Sequence, residues 1–173
     1  FEPLPSYFRS LQRNYGDRVK VFEMALSDRA GETTFHHILD APAYSGFRKR
    51  DYDGISPSIE QIKVQMQTLD DLIPSEVSID LIKIDVEGAE ALVLEGARQT
   101  IMRHHPIILF EFGKGASNYY DTGPKHIWNI FEDMDMALFT LRDWLNQEPP
   151  LNLHALELAY QTGSDYYFLA ASK

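Results

Sequence analysis

The stretch that most constrains the fold is residues 80–90, Asp-Leu-Ile-Lys-Ile-Asp-Val-Glu-Gly-Ala-Glu. Its first five residues are too few for a stable helix. Their Leu, Ile and Ile, interrupted once by Lys83, predict a strand that is buried on both faces. After Gly88, small and apolar residues recur at helical spacing, which predicts a helix. Ligands of open α/β sheets bind beyond the carboxyl ends of such strands, where Asp85 and Glu87 stand.

Other elements follow from similar patterns. Helices are predicted at 6–15, at 69–73 and from Pro124, and strands at 19–26, 33–39, 62–68, 106–112, 137–141 and 165–171. We expect the first two strands to pair as a hairpin. The last two, with no evident helix between them, are expected to pair antiparallel at the edge. Helices that alternate with buried strands predict a three-layer α/β sheet, mostly parallel with an antiparallel edge strand.

Residues 40–57 form a long segment without periodicity, with Gly46, Gly54 and the basic run Arg48-Lys49-Arg50. Loops of this length are uncommon inside compact domains unless they have a function. The segment is therefore predicted to be a lid or an acceptor loop.

The 173 residues predict a single domain, with a formal net charge of −10. That charge argues against nucleic acid as a partner, because affinity for phosphates comes from Lys and Arg. No apolar run is long enough to span a membrane. The absence of cysteine excludes disulfides and fits a reducing compartment, so a cytoplasmic location is expected. The sequence leaves the oligomeric state open, a homo-oligomer included.

Several motifs together form a recognisable pattern. They are Phe1-Glu2-Pro3 before a helix, Ala25-Leu26-Ser27-Asp28 with Gly31, Leu69-Asp70-Asp71-Leu72, Ile82 to Glu90, Glu95-Gly96-Ala97, and Glu111 at the end of a strand. They resemble the FkbM family of S-adenosylmethionine-dependent methyltransferases over nearly the whole chain. The run Lys-Ile-Asp-Val-Glu-Gly-Ala-Glu is the most specific part of this resemblance.

The resemblance implies a class I methyltransferase (Rossmann-like) fold. It also implies an enzyme that methylates hydroxyl groups on sugars, polyketides or other small metabolites. The sequence departs from the family at its start, because the first strand and the glycine-rich turn that contacts the cofactor are absent. The chain begins at Phe1, on what resembles the end of a strand. We therefore predict that an N-terminal segment precedes Phe1.

The resemblance implies a cofactor site for S-adenosylmethionine. Glu2 is expected to bind the ribose hydroxyls, since a carboxylate offers two acceptor oxygens to a diol; alternatively it only stabilises the start of a helix. Leu26 is expected to pack on adenine, with Ser27 and Asp28 at the edge of the ring. The alternative for these residues is an ordinary turn.

Asp85, at the end of its strand, is expected to lie near the transferred methyl group or the acceptor hydroxyl, and could act as a base or cap the following helix. Glu87 is expected to orient the substrate, and Glu111 to lie across the same crevice. Lys83 points to the same side as Asp85 by alternation, which predicts an ion pair in preference to a direct role as base. Glu90 is read as a complement to the helix dipole. Carboxylates at strand ends are also ligands that Mg²⁺ or Ca²⁺ prefers, but a metal is not favoured.

Acceptor-binding candidates lie in the segments that flank the crevice. They are His37, with its neighbour His36, on the predicted hairpin, and Tyr44, Arg48 and Arg50 in the 40–57 segment. A histidine of this kind is more often structural, and a basic run is more often a solvated loop. Substrate choice nevertheless tends to depend on such loops.

Two other classes of protein remain open on the sequence alone. A Rossmann-type enzyme that binds NAD or another nucleotide shares the strand-to-helix arrangement. A non-catalytic interaction domain derived from the methyltransferase fold is the other alternative. The cofactor that raises the melting temperature separates the nucleotide-binding enzyme from the methyltransferase. The intact mass of the natural protein tests the interaction domain.

Overall fold

A computed structural model of the chain describes residues 1–52, 54 and 56–173. The helices are α1 (Pro5–Tyr15), α2 (Leu69–Leu72), α3 (Glu90–Glu95), α4 (Arg98–His104), α5 (Pro124–Glu132), α6 (Leu141–Leu145) and α7 (Leu153–Thr162). The strands are β1 (Ala25–Leu26), β2 (Gly31–Ile38), β3 (Ile59–Gln67), β4 (Leu81–Ile84), β5 (Ile107–Glu111), β6 (Met136–Thr140) and β7 (Tyr167–Ser172). Short 3₁₀ helices occupy Pro42–Tyr44 and Ser117–Tyr120.

The described strands form two mixed sheets where the sequence predicts one. The first has the order β1-β3-β2, with β1 parallel and β2 antiparallel to β3. The second has the order β4-β5-β7-β6, with β4 parallel to β5 and β7 antiparallel to both of its neighbours. The predicted antiparallel strand therefore exists, but it lies inside its sheet and not at the edge. The three-layer arrangement and the preceding first strand stay predictions.

The predicted strand at 19–26 is wrong except for its last two residues. The Val19 N–H donates to the Tyr15 carbonyl at 2.9 Å, so this part of the chain completes the end of α1. The predicted hairpin is also wrong. β2 pairs antiparallel with β3 along its whole length, while β1 pairs parallel with β3. Alternating residues predicted a β conformation for β1 and β2, but this pattern does not indicate which strand each of them pairs with.

The connection between β6 and β7 contains two helices that the sequence analysis did not predict. Thr140 caps α6 by accepting the Asp143 N–H, and Asn152 caps α7 by accepting the Ala155 N–H. The predicted antiparallel pairing of β6 with β7 is confirmed. The cap residues were the available signal, since Asn and Thr are preferred at this position.

The larger hydrophobic core lies on the four-stranded sheet. Leu94 and Ile101, from α3 and α4, are fully buried there, and burial of each contributes about 1.5–3 kcal/mol. The predicted single helix after Gly88 is interrupted at Gly96. A side chain there would collide with the Ser27 carbonyl, so glycine allows the turn between α3 and α4 to pack on the backbone after β1.

β4 positions the candidate site. Its pairing with β5 places Ile84 opposite Phe110, so Asp85 and Glu111 stand at the same edge of the sheet. The prediction of burial on both faces is wrong, because Leu81 is 62% exposed and only Ile84 is buried. Among the strands that the structure describes, β4 pairs only with β5, and residues of β4 line an adjacent cavity.

Candidate active site

The turn that follows β4 has an unusual backbone. Glu87 has a φ of 58° and Gly88 a φ of 103°. Positive φ is uncommon for a residue other than glycine and costs on the order of 1–3 kcal/mol. A Cβ on Gly88 would lie 2.6 Å from the carbonyl carbon of Ala116, so a larger residue would not fit. The turn therefore presents Glu87 in a conformation that its own sequence does not favour.

Glu90, the first residue of α3, reaches back to this turn. Its Oε1 accepts the Val86 N–H at 3.2 Å and the Gly88 N–H at 3.1 Å. The residue is only 2% exposed. Burial raises the pKa of Glu90 to about 7, although these hydrogen bonds oppose the rise. One carboxylate oxygen thus joins the two residues on either side of Glu87.

Asp85 and Glu111 end adjacent strands and interact with each other. Lys83 Nζ lies 2.6 Å from Asp85 Oδ2, so the predicted ion pair is confirmed, although Lys83 is exposed and not buried as predicted. Burial raises the pKa of Glu111, and the negative charges of Asp85 and Glu87 raise it further. The raised pKa makes Glu111 a candidate proton acceptor at this edge of the sheet.

A cavity of about 680 Å³ lies between the start of α1, the end of β1 and the edge of β4. Most of its wall is apolar, with Leu26 among the lining residues, and Glu2 stands at its rim. Glu2 is half-buried, and its Oε1 accepts the Leu4 N–H at 2.8 Å. Burial raises the pKa of Glu2, against the opposing effect of this hydrogen bond. Asp85 and Glu87 also line this cavity.

A second cavity of about 400 Å³ lies between the 40–57 segment and the ends of β4 and β5. Glu87 lines this cavity as well as the first, and Glu111 lines only the second. Four tyrosines also contribute to its wall, namely Tyr44, Tyr52, Tyr119 and Tyr166. The second cavity therefore combines carboxylates with aromatic rings that carry hydroxyl groups.

The described part of the 40–57 segment is attached to the strand ends. Arg50 is buried and its Nη2 lies 2.8 Å from Glu87 Oε2, while its guanidinium lies 5.3 Å from the centre of the Tyr44 ring. The Asp51 N–H donates to the Tyr119 hydroxyl at 2.9 Å. Burial raises the pKa of Glu87, and Arg50 opposes that rise. The ion pair thus connects the segment directly to the wall shared by the two cavities.

Comparison with known proteins identifies the family. The methyltransferase FkbM domain matches residues 1–143. The chain belongs to the FkbM methyltransferase family. The 2-O-methyltransferase NoeI from Sinorhizobium fredii (strain NBRC 101917 / NGR234) is 35% identical over a match that covers 60% of this chain and 48% of NoeI. The match thus spans about half the length of that relative.

A solved structure of the same family is also similar. The crystal structure of the methyltransferase FkbM from Methylobacillus flagellatus KT matches with a TM-score of 0.46 and 17% sequence identity. The match covers 95% of this chain and 32% of that one.

The cofactor-binding residues that the FkbM resemblance implied are only partly brought together. Glu2, Leu26 and Asp85 line the first cavity. Ser27 and Asp28 line neither cavity. Ser27 is buried and donates to Asp28 Oδ1 at 3.1 Å, and Asp28 also pairs with Arg29. The chain bends at Asp28 and Arg29. The adenine contact and the alternative of an ordinary turn both stay predictions.

Of the predicted acceptor-binding residues, only some line the second cavity. Tyr44 lines the second cavity, whereas Arg48 is exposed and His37 lies on β2 with its Nδ1 3.8 Å from Glu60 of β3. Neither Arg48 nor His37 lines either of the two cavities described above. Arg48 contributes through its backbone, because its N–H donates to the Tyr120 hydroxyl at 3.3 Å.

Four tyrosines and a lysine at or near the second cavity were not predicted from the sequence. Tyr119 and Tyr120 anchor the 40–57 segment, and Tyr52, Tyr166 and Lys114 line the second cavity. The loop after β5 was the available signal, since Lys114, Tyr119 and Tyr120 closely follow the strand that ends at Glu111. Loops after strand ends often carry function.

Metal and membrane features complete the description. Within residues 1–52, 54 and 56–173, no group of three His, Cys, Asp or Glu side chains is arranged to hold a metal ion. In the same part of the chain, no helix has the length and apolar character needed to cross a bilayer.

Proposed function

We propose that the chain forms part of an S-adenosylmethionine-dependent O-methyltransferase that acts on a hydroxyl group of a small metabolite, sugar or polyketide-type acceptor. The observation that carries this proposal is the shared wall: Asp85 lines the first cavity, Glu111 the second, and Glu87 both. A cofactor and an acceptor in the two cavities would meet at these carboxylates. Membership of the FkbM family supports methyl transfer, and the similarity to a 2-O-methyltransferase supports oxygen as the acceptor.

The residues of the first cavity suit the cofactor. Because the Leu4 N–H occupies only one oxygen of Glu2, the other can accept a hydrogen bond from a ribose hydroxyl. Leu26 offers an apolar surface to a base. When bound, S-adenosylmethionine supplies an activated methyl group on a sulfonium sulfur. Most of the catalysis in such a transfer comes from positioning.

The second cavity suits a hydroxylated acceptor. Tyrosine rings pack against apolar faces while their hydroxyl groups form hydrogen bonds, and carboxylates accept hydrogen bonds from acceptor hydroxyls. Glu111 is the residue that would remove the proton from the reacting hydroxyl, because its raised pKa brings it closer to the operating pH. Asp85, which forms an ion pair with Lys83, would orient the hydroxyl.

Calorimetry with S-adenosylhomocysteine on the full-length protein, including any segment that precedes Phe1, tests the cofactor assignment. We expect Glu2→Gln to weaken binding by about 10- to 100-fold, because a hydrogen bond to a charged group contributes about 1.5–3 kcal/mol. Glu23→Gln is the matched control, since Glu23 is exposed and lines neither cavity. Failure of the unmodified protein to bind at millimolar ligand would refute the proposal. A rise in melting temperature with NAD but not with S-adenosylhomocysteine would favour a dinucleotide enzyme.

The ion pair between Arg50 and Glu87 provides a test on the acceptor side. We expect Arg50→Ala to raise the acceptor KM about tenfold, or 1.4 kcal/mol, because Glu87 loses its partner and the 40–57 segment loses a contact. The Kd of S-adenosylhomocysteine should change less than twofold. Lys49→Ala, at an exposed position in the same run, should leave both values unchanged. An acceptor KM that is the same in all three proteins would contradict the assignment of the second cavity.

A further inference from the structure

We propose that Glu90 is a positioning residue of this site, which holds the turn from Val86 to Gly88 and thereby fixes Glu87 in the wall between the two cavities. The role of Glu90 in catalysis rests on the proposed function. Its role in holding the turn rests only on the hydrogen bonds. Neither the sequence pattern nor the family match assigns this role.

The geometry of the two hydrogen bonds carries the proposal. A single oxygen of Glu90 accepts the N–H groups of Val86 and Gly88, which flank Glu87 on both sides. Glu87 itself has a positive φ of 58°, a conformation that persists only where the surroundings hold it. The bonds of Glu90 are therefore placed where the turn needs support.

Helix capping alone does not account for Glu90. An acid that complements the helix dipole acts equally well at an exposed position, whereas Glu90 is 2% exposed. Burying a carboxylate is costly unless hydrogen bonds compensate. The Val86 and Gly88 N–H donors belong to the turn before α3. The backbone N–H of Glu90, which belongs to α3, also lowers the pKa of this carboxylate. The burial of Glu90 therefore serves the turn.

Support of the turn by Glu90 also affects the 40–57 segment, because Glu87 of this turn contacts Arg50. With the turn fixed, the Glu87 carboxylate lies 2.8 Å from Arg50, and Arg50 in turn packs on Tyr44. Glu90 also lines the second cavity beside Glu87 and Glu111. Loss of the turn would thus displace the residue that faces the cofactor side and the acceptor side together.

Amide hydrogen exchange tests the geometry without any need for activity. In the unmodified protein, the amides of Val86 and Gly88 should be protected. Glu90→Ala should increase their exchange rates about 5- to 30-fold, the effect of losing one or two kcal/mol. Glu90→Gln should keep them slow, because the amide oxygen still accepts. Glu95→Gln, on the exposed end of the same helix, is the control. Unprotected Val86 and Gly88 amides in the unmodified protein would overturn the proposal even if Glu90→Ala does not fold.

Kinetics test whether Glu90 acts through Glu87. Glu90→Ala and Glu87→Gln should each raise the acceptor KM about tenfold, and the double variant should add less than threefold to either, since coupled residues are not additive. Glu90→Gln should restore the KM to within about threefold of the unmodified value. Independent, additive effects would overturn the positioning role. Slow exchange at Val86 and Gly88 with no methyl transfer in any protein would refute the proposed function and leave the geometric role of Glu90 standing.

Discussion

Replacement of Glu111 by glutamine is expected to lower kcat for methyl transfer by about 10²- to 10⁴-fold, the usual contribution of a positioned general base. Glutamine keeps the size of the side chain and its hydrogen-bonding oxygen but cannot take the proton. Burial and the charges of Asp85 and Glu87 raise the pKa of Glu111, which gives it more basicity than an exposed carboxylate. The measurement is single-turnover methyl transfer to the acceptor at saturating cofactor.

The pH dependence gives this prediction a second measurement. A general base must be ionised, so kcat/KM should fall as the pH drops through the raised pKa of Glu111. Asp85→Asn removes one of the charges that raise this pKa, so the acid limb of the profile should move to lower pH. Glu157→Gln, at an exposed position of α7, should leave both the rate and the profile unchanged. Full turnover by Glu111→Gln would assign the proton to another group.

The sequence predicted the core of the site because the signal there is short-range. A carboxylate that follows a buried apolar run marks a strand end, and parallel neighbours bring their ends to one edge. Asp85 and Glu111 were found in this way, and the register of β4 with β5 confirms that they are neighbours. Lys83 was placed on the side of Asp85 by alternation alone, and their ion pair confirms it.

The sequence could not choose between Arg48 and Arg50. Both belong to one basic run in an irregular segment, where no period says which side chain points inward. Arg50 is the arginine that points inward, because it forms an ion pair with Glu87. Glu87 lies far along the chain from Arg50, in a turn where its φ is positive. Glutamate is not a residue that predicts such a turn. The inner arginine was therefore visible only in the structure.

The burial of Glu90 and its hydrogen bonds to the preceding turn were not predictable from the sequence for a related reason. An acid in the first turn of a helix fits the dipole rule, and that rule says nothing about burial.

The local sequence also did not reveal which strand would pair with which. β2 and β1 both pair with β3, which lies beyond the 40–57 segment. Pairings across such distances depend on tertiary packing, which local patterns do not encode.

The second large effect that we expect is on stability, and it concerns Glu90→Gln. The pKa of Glu90 is about 7 in the folded protein, raised from 4.5, so the folded state binds more protons than the unfolded state between these values. Stability should therefore fall as the pH rises from 4.5 through 7. The loss from this one group is about 3 kcal/mol at pH 8, at 1.36 kcal/mol per unit of pKa.

Glutamine at position 90 carries no charge at any pH and still accepts the two N–H bonds. At pH 5 the variant and the unmodified protein should have similar free energies of unfolding, because Glu90 is protonated when folded. At pH 8 the variant should be more stable by about 3 kcal/mol, since it avoids burying a charge. Urea unfolding at both pH values measures this difference, and subtraction removes groups that titrate in both proteins. Glu157→Gln, at an exposed position of α7, should show no such change. A variant that loses stability equally at pH 5 and pH 8 would mean that the charge of Glu90 is compensated, and that its burial carries no electrostatic cost.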